Sequence, residues 1–291
     1  MKNICIALLL LSRVSFSQEL IDFNYKRDFD KILKESKNKK SPDSYQKLLP
    51  RFLKGDSTLT EKQLLTLQIG FTDNKKYWPY THLKKEREIW LLNDEEKFEE
   101  AIVLCDSILN ENPFNLLANR EKSYALQKLK RDSFEIFFKR FEMLVNTNLS
   151  TGTGFSIDSS WFVLGPADGQ LMIVAVFAAK VCYMNSQTDT NGYIHDVLGM
   201  KLNDLDYCAK LYFNVHHAAN RMFSESDKKK MKTLIKEDAR EIKRSKKKEK
   251  KKNKKQTAFF KNNEIKLTHA SFLISSSKSK LITGSAFAAA C

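Results

Sequence analysis

Apolar stripes of helical period between residues 97 and 145 constrain the fold more than any other feature of this sequence. Residues 97–115, KFEEAIVLCDSILNENPFN, repeat apolar side chains at the three- and four-residue spacing of one helix face. Residues 115–129 and 133–145 follow with the same period. Because one helix cannot bury such a stripe alone, we expect these helices to stack on their neighbours. The first stripe consists of Phe98, Ala101, Ile102, Cys105, Ile108 and Leu109.

The first of these segments resembles the second helix of a tetratricopeptide repeat. Aromatic Phe98 is followed by small Ala101, and Pro113 comes fifteen positions after the aromatic residue, where we expect it to end the helix. Only about one and a half repeats are visible, whereas a free-standing solenoid needs about three. The helical region must therefore pack against a second unit. An ordinary helical bundle is the alternative interpretation.

Earlier residues carry further helix signals. Ser41-Pro42 predicts an N-cap followed by proline in the first turn of a helix that continues through Leu49. Thr60 and Gln63 have the spacing of a capping box, which predicts another helix start. Residues 19–36 place a helical stripe on Leu20, Phe23, Phe29, Ile32 and Leu33.

A composition change at residue 150 predicts a β unit after the helices. Residues 150–160, STGTGFSIDSS, form a break that precedes a strand at SWFVLG. The GTG triplet lacks the G-K-[ST] ending of a phosphate loop and precedes a strand, so we interpret it as a plain turn. Residues 167–179 fit either a helix or a buried strand. Further strands are expected at 180–186, 195–202 and 210–215, which makes the fold class α+β with a small mixed or antiparallel sheet.

The N-terminus has the three-part pattern of a secretory signal. Lys2 is followed by an apolar run from Ile4 to Leu11, and small residues precede a cleavage position after Ser17. We therefore expect an exported protein, periplasmic or secreted, without a transmembrane segment after cleavage. The predicted organisation is a signal peptide (1–17), a tetratricopeptide-like helical region (18–149), a β-rich region packed on it (150–222) and a basic extension with a low-complexity tail (223–291).

Most of the positive charge of the chain lies in one segment. Residues 228–255 contain sixteen Lys or Arg and four Asp or Glu, a net of +12 out of +15 for the whole chain. Arginine forks and aromatic rings, which sequence-specific nucleic-acid readers use, are almost absent from this segment. Lysine alone predicts weak, salt-sensitive contact with anionic lipid or other polyanions. The candidate contact residues are Lys246, Lys247, Lys248, Lys250, Lys251 and Lys252.

Four cysteines remain after the predicted cleavage: Cys105, Cys182, Cys208 and Cys291. Their spacings fit no zinc site and contain no C-x-x-C pair. We expect buried free thiols, and a Cys182–Cys208 disulfide, which an oxidising compartment permits, is the alternative.

Several segments in order resemble an uncharacterised family of secreted bacterial proteins, domain-of-unknown-function family 4919. They are the signal peptide, YQKLLPRFLKGDSTLT (45–60), YWPY (77–80), the helix at 97–115, TGTGFSIDSSWFVL (151–164) and LYFNV (211–215). The resemblance covers roughly residues 20–216 and implies an exported domain of helices and strands, with no assigned activity and no catalytic residues to carry over. The chain departs from the family at residues 152–155, where a Gly-Asp-Gly-Lys-like turn reads GTGF, and in continuing past LYFNV.

No motif in the sequence identifies an enzyme, a cofactor site or a metal site. His195-Asp196 has the form of a base with an orienting acid, but no nucleophile motif accompanies it. Asp158, Asp168 and Asp196 lie near the predicted sheet and could supply paired carboxylates, but they fit surface turns better. His216-His217 follows the last predicted strand, where neighbouring side chains point to opposite faces, so a shared metal ion is not expected. Clustered aromatic residues around a proline form either a core cap or a partner-contact patch, with Tyr77, Trp78 and Tyr80 as the candidates.

Three functional hypotheses follow. The first is a non-enzymatic exported module whose helical region binds a protein partner of the envelope or the secreted fraction. The second is an envelope or secreted enzyme with an unrecognised site among Asp158, Asp168, His195 and Asp196. The third is an electrostatic tether to anionic envelope surfaces through residues 228–255.

Overall fold

Helices precede the sheet along the chain. The computed structural model describes residues 20–202 and 207–223. Its first seven α-helices are α1 (Tyr25–Lys37), α2 (Tyr45–Leu53), α3 (Glu61–Phe71), α4 (Leu83–Asp94), α5 (Phe98–Leu109), α6 (Leu116–Lys128) and α7 (Phe134–Ser150). Consecutive helices from α4 to α7 pack against one another, as the apolar stripes predict.

Side-chain caps explain several of these helix starts. Thr60 and Gln63 form both hydrogen bonds of the predicted capping box at the start of α3. The Asn24 side chain accepts a hydrogen bond from the Arg27 N–H at the start of α1, and Asn115 does the same for Ala118 in α6.

Two predicted helix ends are displaced. Helix α2 begins at Tyr45 rather than at Pro42, because the Ser41 hydroxyl accepts the Asp43 N–H in a local turn. It also continues past Leu49 to Leu53. Helix α5 ends at Leu109, four residues before Pro113, which lies in the connection to α6.

The sheet has four strands: β1 (Trp161–Phe162), β2 (Lys180–Thr188), β3 (Ile194–Lys201) and β4 (Cys208–Asn214). Their spatial order is β1-β4-β3-β2, with β1 parallel to β4 and the other pairs antiparallel. The α+β prediction is therefore confirmed. Strand β2 is an edge strand, and nearly all of its residues are exposed.

The segment 167–179, which fits a helix or a strand by sequence, is helical as far as residue 176. Helix α8 (Pro166–Leu171) leads directly into a π-helical turn (Met172–Val176). Gly169 brings α8 onto the sheet, because a Cβ at this position would lie 3.0 Å from side-chain carbons of Leu198 and Phe213. A short 3-10 helix, Ile157–Ser159, precedes β1, and helix α9 (His216–Phe223) follows β4.

One core joins the helices and the sheet. Its buried members include Phe52, Phe71 and Phe114 from the helical part and Phe162 and Phe213 from strands β1 and β4. Helices and strands therefore contribute to the same buried cluster. Burial of this shared apolar surface stabilises both parts together.

The preferred prediction of free thiols is wrong for Cys182 and Cys208, which form the disulfide given as the alternative. Cys182 and Cys208 form a disulfide, whereas Cys105 is a buried free thiol. The two bonded cysteines lie on β2 and β4, which flank β3. The disulfide passes over Gly199 of β3, where an added Cβ would lie 2.6 Å from the Cys208 sulfur atom. The sheet register, which the cysteine spacing does not show, brings the two thiols together.

Several sequence-based predictions lie outside the described residues. These are the signal peptide and the residues from 224 onward, which include all six candidate lysines. Within residues 20–202 and 207–223, no helix is long and apolar enough to cross a membrane.

Candidate functional site

Two adjoining clefts lie where the start of α1 meets the β2–β3 turn and the start of α9. The larger cleft has a volume of about 310 Å³ and is lined by residues that include Tyr25, Phe29, Tyr193, His216 and Arg221. The smaller cleft, of about 100 Å³, includes Tyr25, Asp158, Asp189, Tyr193 and His195. Tyr25, Lys26 and Tyr193 line both clefts. The larger volume is at the lower end of the range for small-ligand sites.

The β2–β3 turn holds Tyr193 in place. The Asp189 Oδ1 atom accepts hydrogen bonds from the Asn191 N–H (2.8 Å) and the Tyr193 N–H (2.9 Å). Gly192 has a φ of +83°, which favours glycine at this position. The Lys26 ammonium donates to the Asn191 Oδ1 atom at 2.9 Å and so links α1 to the turn. The Tyr25 and Tyr193 rings are in edge contact, with centroids 5.1 Å apart.

His217 is part of an aromatic cluster beneath the larger cleft. Its ring stacks on Phe162 at 4.6 Å, on Phe29 at 5.7 Å and on Tyr77 at 6.2 Å between centroids. Burial among these rings lowers the pKa of His217 to about 3, because a charged imidazole would lose its hydration there. His217 is therefore neutral at physiological pH and has a structural role.

Both ring nitrogens of His216 contact groups of the fold. Its Nδ1 atom accepts the Ile194 N–H at 3.3 Å, and its Nε2 atom lies 2.9 Å from the Asn220 Nδ2 atom. The prediction that His216 and His217 point to opposite faces is wrong, because both lie in the first turn of α9. Their ring centroids are 5.9 and 6.0 Å from that of Tyr25.

His195 lines the smaller cleft and is only 2% exposed. Its Nε2 atom is 3.6 Å from Asp189 Oδ2, and neither ring nitrogen has a hydrogen-bond partner within the described part of the chain. Burial lowers the pKa of His195 more than the Asp189 carboxylate raises it, so the ring is neutral.

The structure brings together only two of the four residues proposed for an unrecognised enzyme site. Asp158 and His195 line the smaller cleft. Asp196 follows His195 in β3, so its side chain lies on the opposite face of the sheet, where it accepts the Ser186 hydroxyl at 3.1 Å. Asp168 lies in the first turn of α8 and accepts the Gly165 N–H at 2.8 Å. Burial, with a smaller effect of Glu86, raises the pKa of Asp168 to about 7.

The aromatic–proline block divides between core and surface. Tyr77 is 1% exposed, and its hydroxyl donates to the Leu164 carbonyl at 2.6 Å. Tyr77 therefore cannot contact a partner, and this part of the predicted patch is wrong because the ring fills the core. Trp78 and Tyr80 are half-buried. The Arg221 guanidinium lies 4.8 Å from the Trp78 ring centroid, which places Trp78 beside the larger cleft.

The arrangement of these groups allows aromatic contact and hydrogen bonding to a bound group. In the described ranges, no three His, Cys, Asp or Glu side chains are arranged to hold a metal ion. Sequence reasoning missed Tyr25 and Tyr193. The available signals were the Asn24 cap before Tyr25 and the Asp-Thr-Asn-Gly turn before Tyr193, but neither signal shows that the two rings meet.

Comparison with known proteins identifies one family. Residues 30–224 match the model of a domain of unknown function (DUF4919), in agreement with the resemblance found in the sequence. No curated protein and no solved structure matches the chain. Since the match spans more than half of the 291 residues, the chain belongs to the DUF4919 family.

Proposed function

We propose that this protein is an exported, non-enzymatic binding module that takes up a polypeptide partner along the two clefts. The name "cleft face" denotes Tyr25, Trp78, Tyr193, His216 and Arg221. The sequence predicts the partner contact on the tetratricopeptide-like helices, whereas we assign it to the cleft face. Trp78 remains a candidate contact, and Tyr80 lies two residues further along the same block.

One observation carries this proposal: two clefts adjoin and share the rings of Tyr25 and Tyr193. Tyrosine, tryptophan and arginine are the residue types that dominate binding energy at protein interfaces. Adjoining clefts with shared aromatic walls suit successive residues of a chain. Rings that already pack on one another also lose little conformational entropy when a partner binds.

The polar groups of the cleft face support binding rather than proton transfer. His216 uses both ring nitrogens in contacts within the fold, and Asp189 uses one carboxylate oxygen to hold the turn. His217 is neutral inside the aromatic cluster. A general base must reach the proton that it abstracts, and a nucleophile must lie beside its base. Of the four residues proposed for an enzyme, only Asp158 and His195 share a cleft.

The disulfide supports the export part of the proposal. Disulfides persist mainly in oxidising compartments, and Cys182 is bonded to Cys208. Together with the signal-like N-terminus, this favours a periplasmic or secreted protein that starts at Gln18. N-terminal sequencing of the protein purified from its native cells tests this proposal. Retention of residues 1–17 would contradict it.

A crosslinked pull-down from the native cell envelope tests partner binding, with the tagged full chain as bait. We expect Tyr193→Ala and Trp78→Ala each to reduce recovery of the partner, because both remove aromatic contact area at the cleft face. Tyr207→Ala is the matched control, since Tyr207 is 68% exposed and lies outside both clefts. Equal recovery by the variants and the control would show that the cleft face is not the contact region.

An electrostatic tether is the second candidate function, and the charge of residues 228–255 is the observation that favours it. A segment with a net charge of +12 is attracted to anionic lipid headgroups, and each lysine near such a surface contributes about 1 kcal/mol. This attachment is compatible with partner binding at the cleft face, because the two functions use different residues.

A further inference from the structure

We propose that the smaller cleft binds a primary ammonium group, and specifically the amino terminus of the bound chain. This inference rests on the proposed function, since it assigns one end of the polypeptide partner to one of the two clefts. It starts from His195, whose imidazole is buried without any hydrogen-bond partner among the described residues. Buried polar groups in folded proteins are normally hydrogen-bonded, so an unpaired imidazole at a cleft wall points to a missing donor.

Three side chains in the lining of the smaller cleft can accept hydrogen bonds from a cationic donor. Neutral His195 has one ring nitrogen available as an acceptor, and Asp158 and Asp189 supply carboxylate oxygens. The Asp189 Oδ2 atom lies 3.6 Å from His195 Nε2, which is too far for a direct hydrogen bond. An –NH₃⁺ group has three donors and can bond to both His195 and Asp189, while the Asp158 carboxylate in the same lining adds negative charge.

The charges around the smaller cleft also favour a cation. Its titratable residues are Tyr25, Lys26, Asp158, Asp189, Tyr193 and His195. The lining therefore contains two carboxylates and one lysine, and the lysine ammonium already donates to Asn191 Oδ1. The half-buried rings of Tyr25 and Tyr193 add cation–π attraction for an ammonium group beside them.

The size and the ligand set favour an ammonium group over a metal ion. A cleft of about 100 Å³ holds roughly three water-sized groups, enough for a terminal amine and its first carbon atoms. Among the described residues, no three His, Cys, Asp or Glu side chains, those of this cleft included, are arranged to hold a metal ion. Because Tyr25 and Tyr193 also line the larger cleft, a chain that begins in the smaller cleft continues past these rings into the larger one.

Two peptides and one simple amine test this inference on the full-length protein. The probes are tetra-alanine amide with a free amino terminus, the same peptide acetylated, and n-propylammonium chloride. The imidazole Cε1–Hε1 signal of His195 is followed by NMR; the chain has five histidines, and His195→Gln identifies the signal. Potassium chloride at the same ionic strength controls for salt.

We expect the free peptide and n-propylammonium to shift the His195 signal with saturation. The acetylated peptide should bind about tenfold more weakly or worse, because it cannot donate charged hydrogen bonds. Asp158→Asn should weaken binding of the peptide with a free amino terminus by a similar factor. Asp158 is exposed, so this variant should keep the fold. Asp94→Asn, at an exposed aspartate on α4, is the matched control and should change nothing.

Each contrary result has a separate meaning. Equal binding of the acetylated and free peptides would overturn the ammonium site while leaving partner binding at the cleft face intact. A His195 response to n-propylammonium without any response to the free peptide would support an ammonium site for small amines and overturn its assignment to a chain terminus. If no probe gave a saturable His195 response while an envelope partner was still captured through Tyr193, the ammonium site would be refuted and the proposed partner binding would stand.

Discussion

His217→Phe should make the protein less sensitive to acid. In the wild-type protein His217 is 6% exposed and stacks on Phe162, Phe29 and Tyr77. Phenylalanine has a ring of similar size that can keep these contacts but cannot take up a proton. The substitution therefore separates the packing of the ring from its titration.

The expected magnitude follows from the pKa of His217, which falls from 6.5 to about 3 on folding. Between these values the unfolded chain binds the proton and the folded chain does not, so wild-type stability falls as the pH decreases through this window. Each pH unit below 6.5 costs about 1.4 kcal/mol, which gives about 3 kcal/mol at pH 4.5. That is a large share of a typical unfolding free energy of about 5–15 kcal/mol.

Urea unfolding at pH 7.5 and pH 4.5, followed by tryptophan fluorescence, measures this difference. Asp168, whose pKa is raised to about 7, has the opposite pH dependence, but it is present in both proteins and cancels in the comparison. We expect His217→Phe to gain about 3 kcal/mol relative to wild type between pH 7.5 and pH 4.5. His82→Phe is the control and should gain less, because Glu111 lies 3.7 Å from the His82 ring and favours its charged form. The reasoning would be refuted if the difference in unfolding free energy between His217→Phe and wild type were the same at pH 7.5 and pH 4.5.

Three further predictions concern the disulfide, the core and the basic segment. Gly199→Ala should prevent formation of the Cys182–Cys208 bond, because the new Cβ would lie 2.6 Å from the Cys208 sulfur. Thiol titration should find more free thiol in this variant than in the Gly165→Ala control, where the atom nearest to the new Cβ is 3.5 Å away. Tyr77→Phe should lower the unfolding free energy by about 1–3 kcal/mol in urea titrations, because the buried Leu164 carbonyl loses its donor, and Tyr80→Phe should cost less. Replacement of the six candidate lysines by glutamine in the full chain should reduce its binding to anionic vesicles and make that binding less dependent on salt. Equal binding by the variant and the wild-type protein would exclude the tether. The six residues are Lys246, Lys247, Lys248, Lys250, Lys251 and Lys252.

Local signals were enough to predict most of the secondary structure. The strands expected at 180–186, 195–202 and 210–215 occur at Lys180–Thr188, Ile194–Lys201 and Cys208–Asn214. The capping box at Thr60 is formed as expected. These features depend on neighbouring residues, and the apolar period or the cap spacing is visible in a single sequence. The π-helical turn at Met172–Val176 has no such signal.

The cleft face depends on tertiary contacts, and the sequence does not show them. Tyr25 and Tyr193 are far apart along the chain, and they meet because α1 packs beside the β2–β3 turn. Burial of Tyr77 likewise depends on an acceptor 87 residues away, the Leu164 carbonyl. The disulfide was judged from cysteine spacing alone, although the strand order determines which thiols meet. Each of these features needs the arrangement of complete elements.

Site-specific photocrosslinking tests binding at the cleft face most directly. A benzoylphenylalanine residue in place of Tyr193, introduced into the full-length protein in its native cells, should crosslink to a discrete polypeptide after irradiation. The same photoreactive residue in place of Tyr207, which is exposed outside both clefts, should not crosslink to that polypeptide. Adducts that are identical at both positions, or found only at position 207, would contradict the proposal that the clefts take up a partner.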